Sequence, residues 1–271
     1  MRFATLMCLC LCSTSGEMRA EELQAGAAVI DITPPTGFPM WGYAARRDAP
    51  CVGVRDRLKA RALVLAVGKE KLALVSLDLG RAPTRRSTAA IRKLVDRAGV
   101  GTIFLVGSHT HHGPVLELDS WPTPKTSYVR SLEKKIAAVI LAADRARVPA
   151  RLGVASKQLS LNRNRHSKRK EKPVDRELLV LRVEDRKGKV LAHAVNFAAH
   201  PTMLPARLRE FSADYVGVLA REVERVTAAP CLFLQGAAGD LSPNPSKGWN
   251  PDTFGKELAG EVLALARTIE A

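Results

Sequence analysis

GTIFLVGSHTHHGP, residues 101–114, decides how the rest of the chain is read. Its apolar run, Thr102 to Val106, is short, is closed by Gly107, and opens into three of the chain's six histidines. A run of this length bounded by glycine predicts a buried strand, with the histidines on the loop that leaves its end. Extended geometry continued past Gly107 turns His109 and His111 to one side and His112 to the other, because side chains alternate along a strand. Two imidazoles on one side of a rigid strand end are the start of a metal site. One packing histidine beside two solvated ones is the competing arrangement.

Around this stretch the chain offers 271 residues, 46% of them hydrophobic, which is enough for a sizeable core and argues against wholesale disorder. The formal charge is +15, which fits nucleic acid, an anionic membrane surface or an acidic substrate as partner. No internal repeat and no run of 18 apolar residues is present, so no transmembrane helix is expected. Residues 1–20 combine a basic start at Arg2, an apolar stretch from Phe3 to Cys12 and the small residues Ser13, Thr14, Ser15 and Gly16. That pattern predicts an export signal, and with it a periplasmic or secreted mature chain of residues 21–271. Beyond it only Cys51 and Cys231 remain, which are expected buried and free.

In chain order, residues 25–33 predict a first strand, stopped by Pro34 and Pro35. A Gly- and Pro-broken loop follows, residues 36–44, whose Trp41 and Tyr43 either wall a binding site or fold onto the core. Residues 61–67 and 72–77 predict a hairpin whose second strand runs into Asp78. Helical spacing is read over residues 84–98 and 127–147. A strand at 151–159 leads into LNRNRHSKRKEKP, residues 161–173, with six Lys and Arg. It lacks the interleaved aromatics that stack bases, so a solvated loop is the better reading than a nucleic-acid site, with Arg163 or Arg165 able to turn inward.

A second hairpin, 177–184 and 190–197, runs out into His200, where Pro201 excludes helical geometry. This repeats the arrangement of the opening stretch, an apolar strand ending in histidine. Ser212 or Asp214 is placed to cap a helix reaching residue 228. Residues 231–234 predict a buried strand that opens into QGAAGDLSPN, where small residues let backbone approach a ligand. A last helix is read over residues 254–269. The fold class is α/β: a mixed sheet rich in hairpins with helices packed on it, and His109, His200 and Ser242 converging at strand ends.

The motifs SHTHHGP, FAAHPTML and QGAAGDLSPN, in that order, resemble those of the neutral/alkaline ceramidase family. AVIDITPPTGFPMWGYA, KARALVL, LVSLDLG and NRNR followed by VDRELLVLRV resemble it too, so the likeness covers most of residues 25–244. It implies a zinc-dependent amidase that splits ceramide into a fatty acid and a sphingoid base. It implies zinc ligands at His109 and His200, His111 beside the metal, Ser242 as the catalytic serine, and Arg163 facing the substrate or transition state. Trp41, Tyr43 and Asp240 are the candidates for substrate contact. In the family a glutamate and a tyrosine from a later segment complete the zinc site, and this chain stops before that segment and before the immunoglobulin-like domain of longer members. Asp78 and Asp240, at strand ends, are candidate replacement ligands, although a carboxylate capping a loop is the favoured reading of each.

The expected activity is zinc-dependent hydrolysis of ceramide, with peripheral contact to a membrane surface. The alternatives are another N-acyl substrate, or a catalytically silent homologue that binds a lipid or glycan.

Overall fold

The computed structural model describes residues 21–47, 49–116 and 123–271. The segment read as an export signal, residues 1–20, lies outside the described residues. Strand β1 (Leu23–Asp31), the short β2 (Gly53–Val54), β3 (Lys59–Val67), β4 (Glu70–Leu77), helix α1 (Arg85–Val95), β5 (Thr102–Gly107) and α2 (Thr123–Arg145) make the first half. The second half holds β6 (Val148–Gln158), β7 (Asn162–Asn164), β8 (Glu177–Asp185), β9 (Val190–Phe197), β10 (Glu210–Phe211), α3 (Asp214–Thr227), β11 (Cys231–Gln235), β12 (Leu241–Pro243) and α4 (Pro251–Ala266). Each predicted element is present, with ends displaced by a few residues, but β5, read as a buried strand, is an edge strand whose Phe104 is 55% exposed.

Eight strands are hydrogen-bonded in the order β11-β9-β8-β6-β1-β3-β4-β5. Antiparallel pairing runs through the middle, while β5 lies parallel to β4 and β11 parallel to β9. The sheet is not flat. At its centre β1 and β6 meet only through Gln24↔Pro149 and Ala25↔Val148. At that narrow seam the sheet folds, so that one leaf (β1, β3, β4, β5) lies over the other (β6, β8, β9, β11).

The alternation of side chains shows this directly. Along β3, Ala60, Ala62 and Val64 pack under α1 and α2 with Ile91, Leu132 and Ile136. The intervening Leu63 packs instead with Val183, Ala192, Ala194 and Leu232 from the opposite leaf. On the far side Phe197, Phe233, Tyr215, Leu219, Phe254 and Leu258 form the core beneath α3 and α4. The layers are therefore helix, sheet, sheet, helix. Fully burying a large apolar side chain contributes about 1.5–3 kcal/mol, and three such layers of contact hold the sandwich.

Each half runs strand, hairpin, helix, parallel strand, helix. The sequence shows no periodic repeat because this topology is specified by hydrophobic pattern rather than by residue identity. Helix ends follow local chemistry. Thr84 accepts from the Ser87 N–H at the start of α1, and Asn250 accepts from Asp252 and Thr253 at the start of α4. The start of α3 is different: Ala213 is the cap residue, and Ser212 Oγ accepts from the Asp214 N–H at 3.0 Å. Cys51 and Cys231 are buried and free, as expected.

Candidate metal centre

Folding one leaf over the other brings the end of β5 to the end of β9. The extended course assumed beyond Gly107 does not continue. His109 has φ +69°, and the chain turns at His111 and His112. His109 and His111 nevertheless share a side and His112 takes the other, because the bend is fixed by backbone bonds from Ser108 to the Leu77 carbonyl (2.8 Å) and from His109 to that of Leu79 (3.0 Å). From β9, the His200 N–H donates to the Leu241 carbonyl at 3.0 Å.

The result is a cluster of three histidines, His109, His111 and His200, whose ligand nitrogens all lie within 4.8 Å of one another. Nε2 of His111 is 2.9 Å from Nε2 of His200. Burial holds all three below the ordinary imidazole range. His111 is pushed down to about 3 by burial and then by its histidine neighbours, and His200 to about 4 by burial, opposed by the Ala238 carbonyl and aided by Arg165. His109 is lowered by burial, opposed by a hydrogen bond to the Gly80 carbonyl. At neutral pH the three rings are uncharged, and an uncharged imidazole keeps one nitrogen lone pair, the form a metal binds.

The donor set fits a divalent metal of the zinc type on a finer criterion. A ligating histidine usually donates its other ring N–H to a carbonyl or carboxylate, which fixes the tautomer. His200 Nδ1 has the Ala238 carbonyl at 3.1 Å, and His109 has that of Gly80. His111 differs: its Nδ1 is buried without a partner. Carbonyls stand beside two of the rings and none beside the His111 Nδ1.

The loop after β1 wraps this cluster. Trp41 stands edge-on to His109 and His111, with ring centroids 4.7 and 5.0 Å apart, and Tyr43 lies 4.8 Å from His111. The Tyr43 hydroxyl donates to the Leu204 carbonyl at 2.9 Å. Both Trp41 and Tyr43 thus wall the histidines. Two glycines make the fit: a Cβ on Gly42 (φ +109°) would come within 2.5 Å of the His111 ring, and one on Gly80 within 2.3 Å of Trp41.

Sequence reasoning missed Arg46. The residue is 6% exposed, and its guanidinium donates to the carbonyls of Ala206 (2.9 Å), Trp41 (3.2 Å), Leu208 (3.2 Å) and His111 and meets His112 Nε2 at 2.6 Å. It ties the aromatic loop, the histidine loop and the chain after His200 into one unit. Burial depresses its own pKa. No local motif announces it, since its partners are far away in sequence.

Ser242 sits in β12, paired with Arg163 of β7. It is buried, and its Oγ has no partner among the described residues. Along β7, Asn162 and Asn164 point inward, to the Ala198 carbonyl (2.7 Å) and to Asp240 Oδ2 (2.6 Å). Arg163 and Arg165 point outward and are exposed. It is Arg165 that reaches the histidines, 3.2 Å from His200 Nδ1 and donating to the Gly239 carbonyl at 2.9 Å.

The candidate replacement ligands lie elsewhere. Asp240 is exposed and held by Asn164. Asp78 is buried in an ion pair with Arg61 at 3.0 Å, and Arg61 also reaches Glu224 of α3 at 2.6 Å. An aspartate already neutralised by a buried arginine is not available to a metal.

The fold has counterparts among known proteins. The fold superposes on a crystal structure of neutral ceramidase from Pseudomonas aeruginosa, with a TM-score of 0.78 and 24% identity, over 93% of this chain and 45% of that one. A ceramidase complexed with C2 gives a TM-score of 0.78 and 24% identity over 92% of this chain and 44% of that one. The chain thus spans less than half the length of these solved relatives, and the likeness is one of fold. Residues 23–257 match the N-terminal region of one family, and on that match the chain belongs to the neutral/alkaline non-lysosomal ceramidases.

Proposed function

We propose that the chain carries a metal-dependent amide hydrolase site acting on an N-acyl lipid of the ceramide type, yielding a fatty acid and a sphingoid base. The observation that carries this reading is the buried cluster of His109, His111 and His200, with carbonyls bracing two of the three rings. His109 and His200 would hold zinc. When bound, zinc polarises a carbonyl and lowers the pKa of coordinated water from ~15.7 to about 7. His109 and His200 supply two of the about three protein ligands usual for a catalytic zinc.

The chain's own groups take the remaining work. His111, with Nδ1 unengaged, moves a proton between the attacking oxygen and the leaving nitrogen. Ser242 presents a hydroxyl with no competing partner, suited to donate to the oxyanion or to attack the carbonyl. A burst of acyl-enzyme in rapid-quench kinetics marks attack, and its absence marks donation. Arg163 and Arg165 place positive charge on the open face of β7, where a developing negative charge is stabilised. Trp41 and Tyr43 exclude water from the metal side, and Asp240 holds the Asn164 edge of the entrance.

A lipid substrate brings the protein to a membrane surface peripherally. Among the described residues no helix is long and apolar enough to cross a membrane. Export with removal of residues 1–20 is part of the proposal, and the mass of the mature N-terminus tests it.

The direct test is hydrolysis of a short-chain ceramide by the zinc-supplemented chain. Activity lost on chelation, in His109→Ala and in Ser242→Ala supports the reading. Zinc uptake without hydrolysis of any amide would leave a lipid-binding homologue.

A further inference from the structure

Gln235, the last residue of β11, is used by none of the roles above. Its side chain is fixed by one end: Nε2 donates to the Ala199 carbonyl at 3.1 Å. That carbonyl also accepts from the hydroxyl of the fully buried Tyr215, so it cannot drift. The orientation of the amide leaves Oε1 as the free end, and Oε1 is buried without a partner. Gln235 lines a cavity of about 180 Å³ together with His109, His200, Gly236, Ala238 and Gly239.

A buried carbonyl oxygen without a donor is costly, and such groups call for an explanation in a ligand or in chemistry. Neither histidine beside it makes a hydrogen bond to Oε1. The Ala238 carbonyl, 3.1 Å from His200 Nδ1, and the Gly80 carbonyl beside His109 favour ring N–H groups directed to them. The cavity is thus lined by histidines, which suit a cation, and by a residue whose unpartnered amide oxygen suits an N–H or O–H.

We propose that Gln235 Oε1 accepts the N–H of the scissile amide, which makes Gln235 a specificity-determining residue favouring N-acyl over O-acyl lipids. The proposal rests on the hydrolase reading of the same site. In hydrolysis the C–N bond breaks, the oxygen of water joins the acyl carbon, and a water proton goes to nitrogen. The N–H held by Gln235 stays intact throughout. An ester puts a bare oxygen at that place, so two acceptors face each other and the Gln235 oxygen stays unpaired.

The experiment compares N-acetylsphingosine with its matched O-acetyl ester on the zinc-supplemented parent, Gln235→Leu and Gln235→Asn. Gln235→Asn keeps an amide but withdraws the acceptor from the cavity. Binding is read by calorimetry and turnover as kcat/KM, with a thermal midpoint to confirm folding. The expected result is a parent preference for the amide of about 10- to 100-fold. Both variants should lose it, by weakening the amide and relieving the opposed acceptors that disfavour the ester. An equal fall on both substrates, or a parent with no preference, overturns the assignment and leaves the hydrolase reading standing. A zinc-bound parent that takes neither substrate overturns both.

Discussion

The first half of the chain, β1 to α2, and the second, β6 to α4, follow the same course of strands and helices, yet their equivalent strand ends carry different chemistry. The end of β4 holds Asp78, neutralised by Arg61 and so joined to Glu224 of the other half. The end of β9 holds His200, in the metal cluster. The end of β5 carries His109 and His111, whereas the end of β11 carries Gln235 and Gly236 against the same cavity. Neither half owns the site. One strand end of the first half and two of the second compose it, and the remaining β4 end is spent on an ion network that fastens the halves together.

That division makes the two strand ends separable by mutation. Arg61→Met should be the most damaging change, lowering unfolding free energy by about 3–5 kcal/mol in urea titration, because it strands buried Asp78 without its partner. His200→Ala, at the equivalent end of the other half, should remove metal binding at much smaller cost in stability. If Arg61→Met proves neutral, the seam between the halves is not where the fold is fastened.

Packing between the leaves comes next. Leu63 and Leu232, both fully buried, belong to the same inter-leaf cluster. Either one changed to alanine should cost about 2–4 kcal/mol. The double variant should fall short of the sum, because the two share one cluster. Simple additivity in a double-mutant cycle would mean that the two leaves do not share a core at this point.

Both halves hold histidines whose pKa burial lowers, and His193 is one that lies outside the metal cluster. His193 of β9 is buried, and burial, followed by the charge of Arg182, pushes its pKa down to about 4. Unfolded, it titrates near 6.5, so between those values the unfolded chain binds the extra proton. Stability contributed by neutral His193 is therefore full above pH 6.5 and is lost as pH falls toward 4. His193→Gln should flatten that slope by about 1 kcal/mol per pH unit or less. An unchanged slope in urea titrations at pH 6.5, 5.5 and 4.5 would place the acid sensitivity elsewhere.

The smallest effect is at the helix starts. Asn250→Ala should cost about 1 kcal/mol by removing the cap of α4. Thr84→Ala should cost less, since its cap contact to Ser87 is longer, at 3.3 Å. Equal losses in thermal melts would show that the two helices depend on their caps alike.

How much of this was written in the sequence follows from the range of each interaction. Hairpins and helices were legible because period 2 and period 3.6 are local, and the ends of β9 and α1 fell within a few residues of expectation. The stacking of the leaves was not, because the seam is made by two residue pairs joining β1 to β6 across more than a hundred residues. His109 and His111 were placed on one side by assuming an extended chain, and they share it through a bend at His109 instead. Arg46 was invisible, since a basic residue in a loop looks solvated until the carbonyls of Ala206 and Leu208 close on it. Asp78, an acid at a strand end, reads from sequence as a loop cap or a ligand and is neither. The buried arginine that claims it lies on the neighbouring strand.

The central claim is that the two halves jointly make one metal site in which His109 and His200 are ligands and His111 is not. Zinc stoichiometry of the purified chain, beside His109→Ala, His200→Ala and His111→Ala, tests it most directly. About one zinc per chain, lost in the first two variants and kept in the third, is the expected result. No zinc in the parent, or loss in His111→Ala equal to that in the other two, would contradict it.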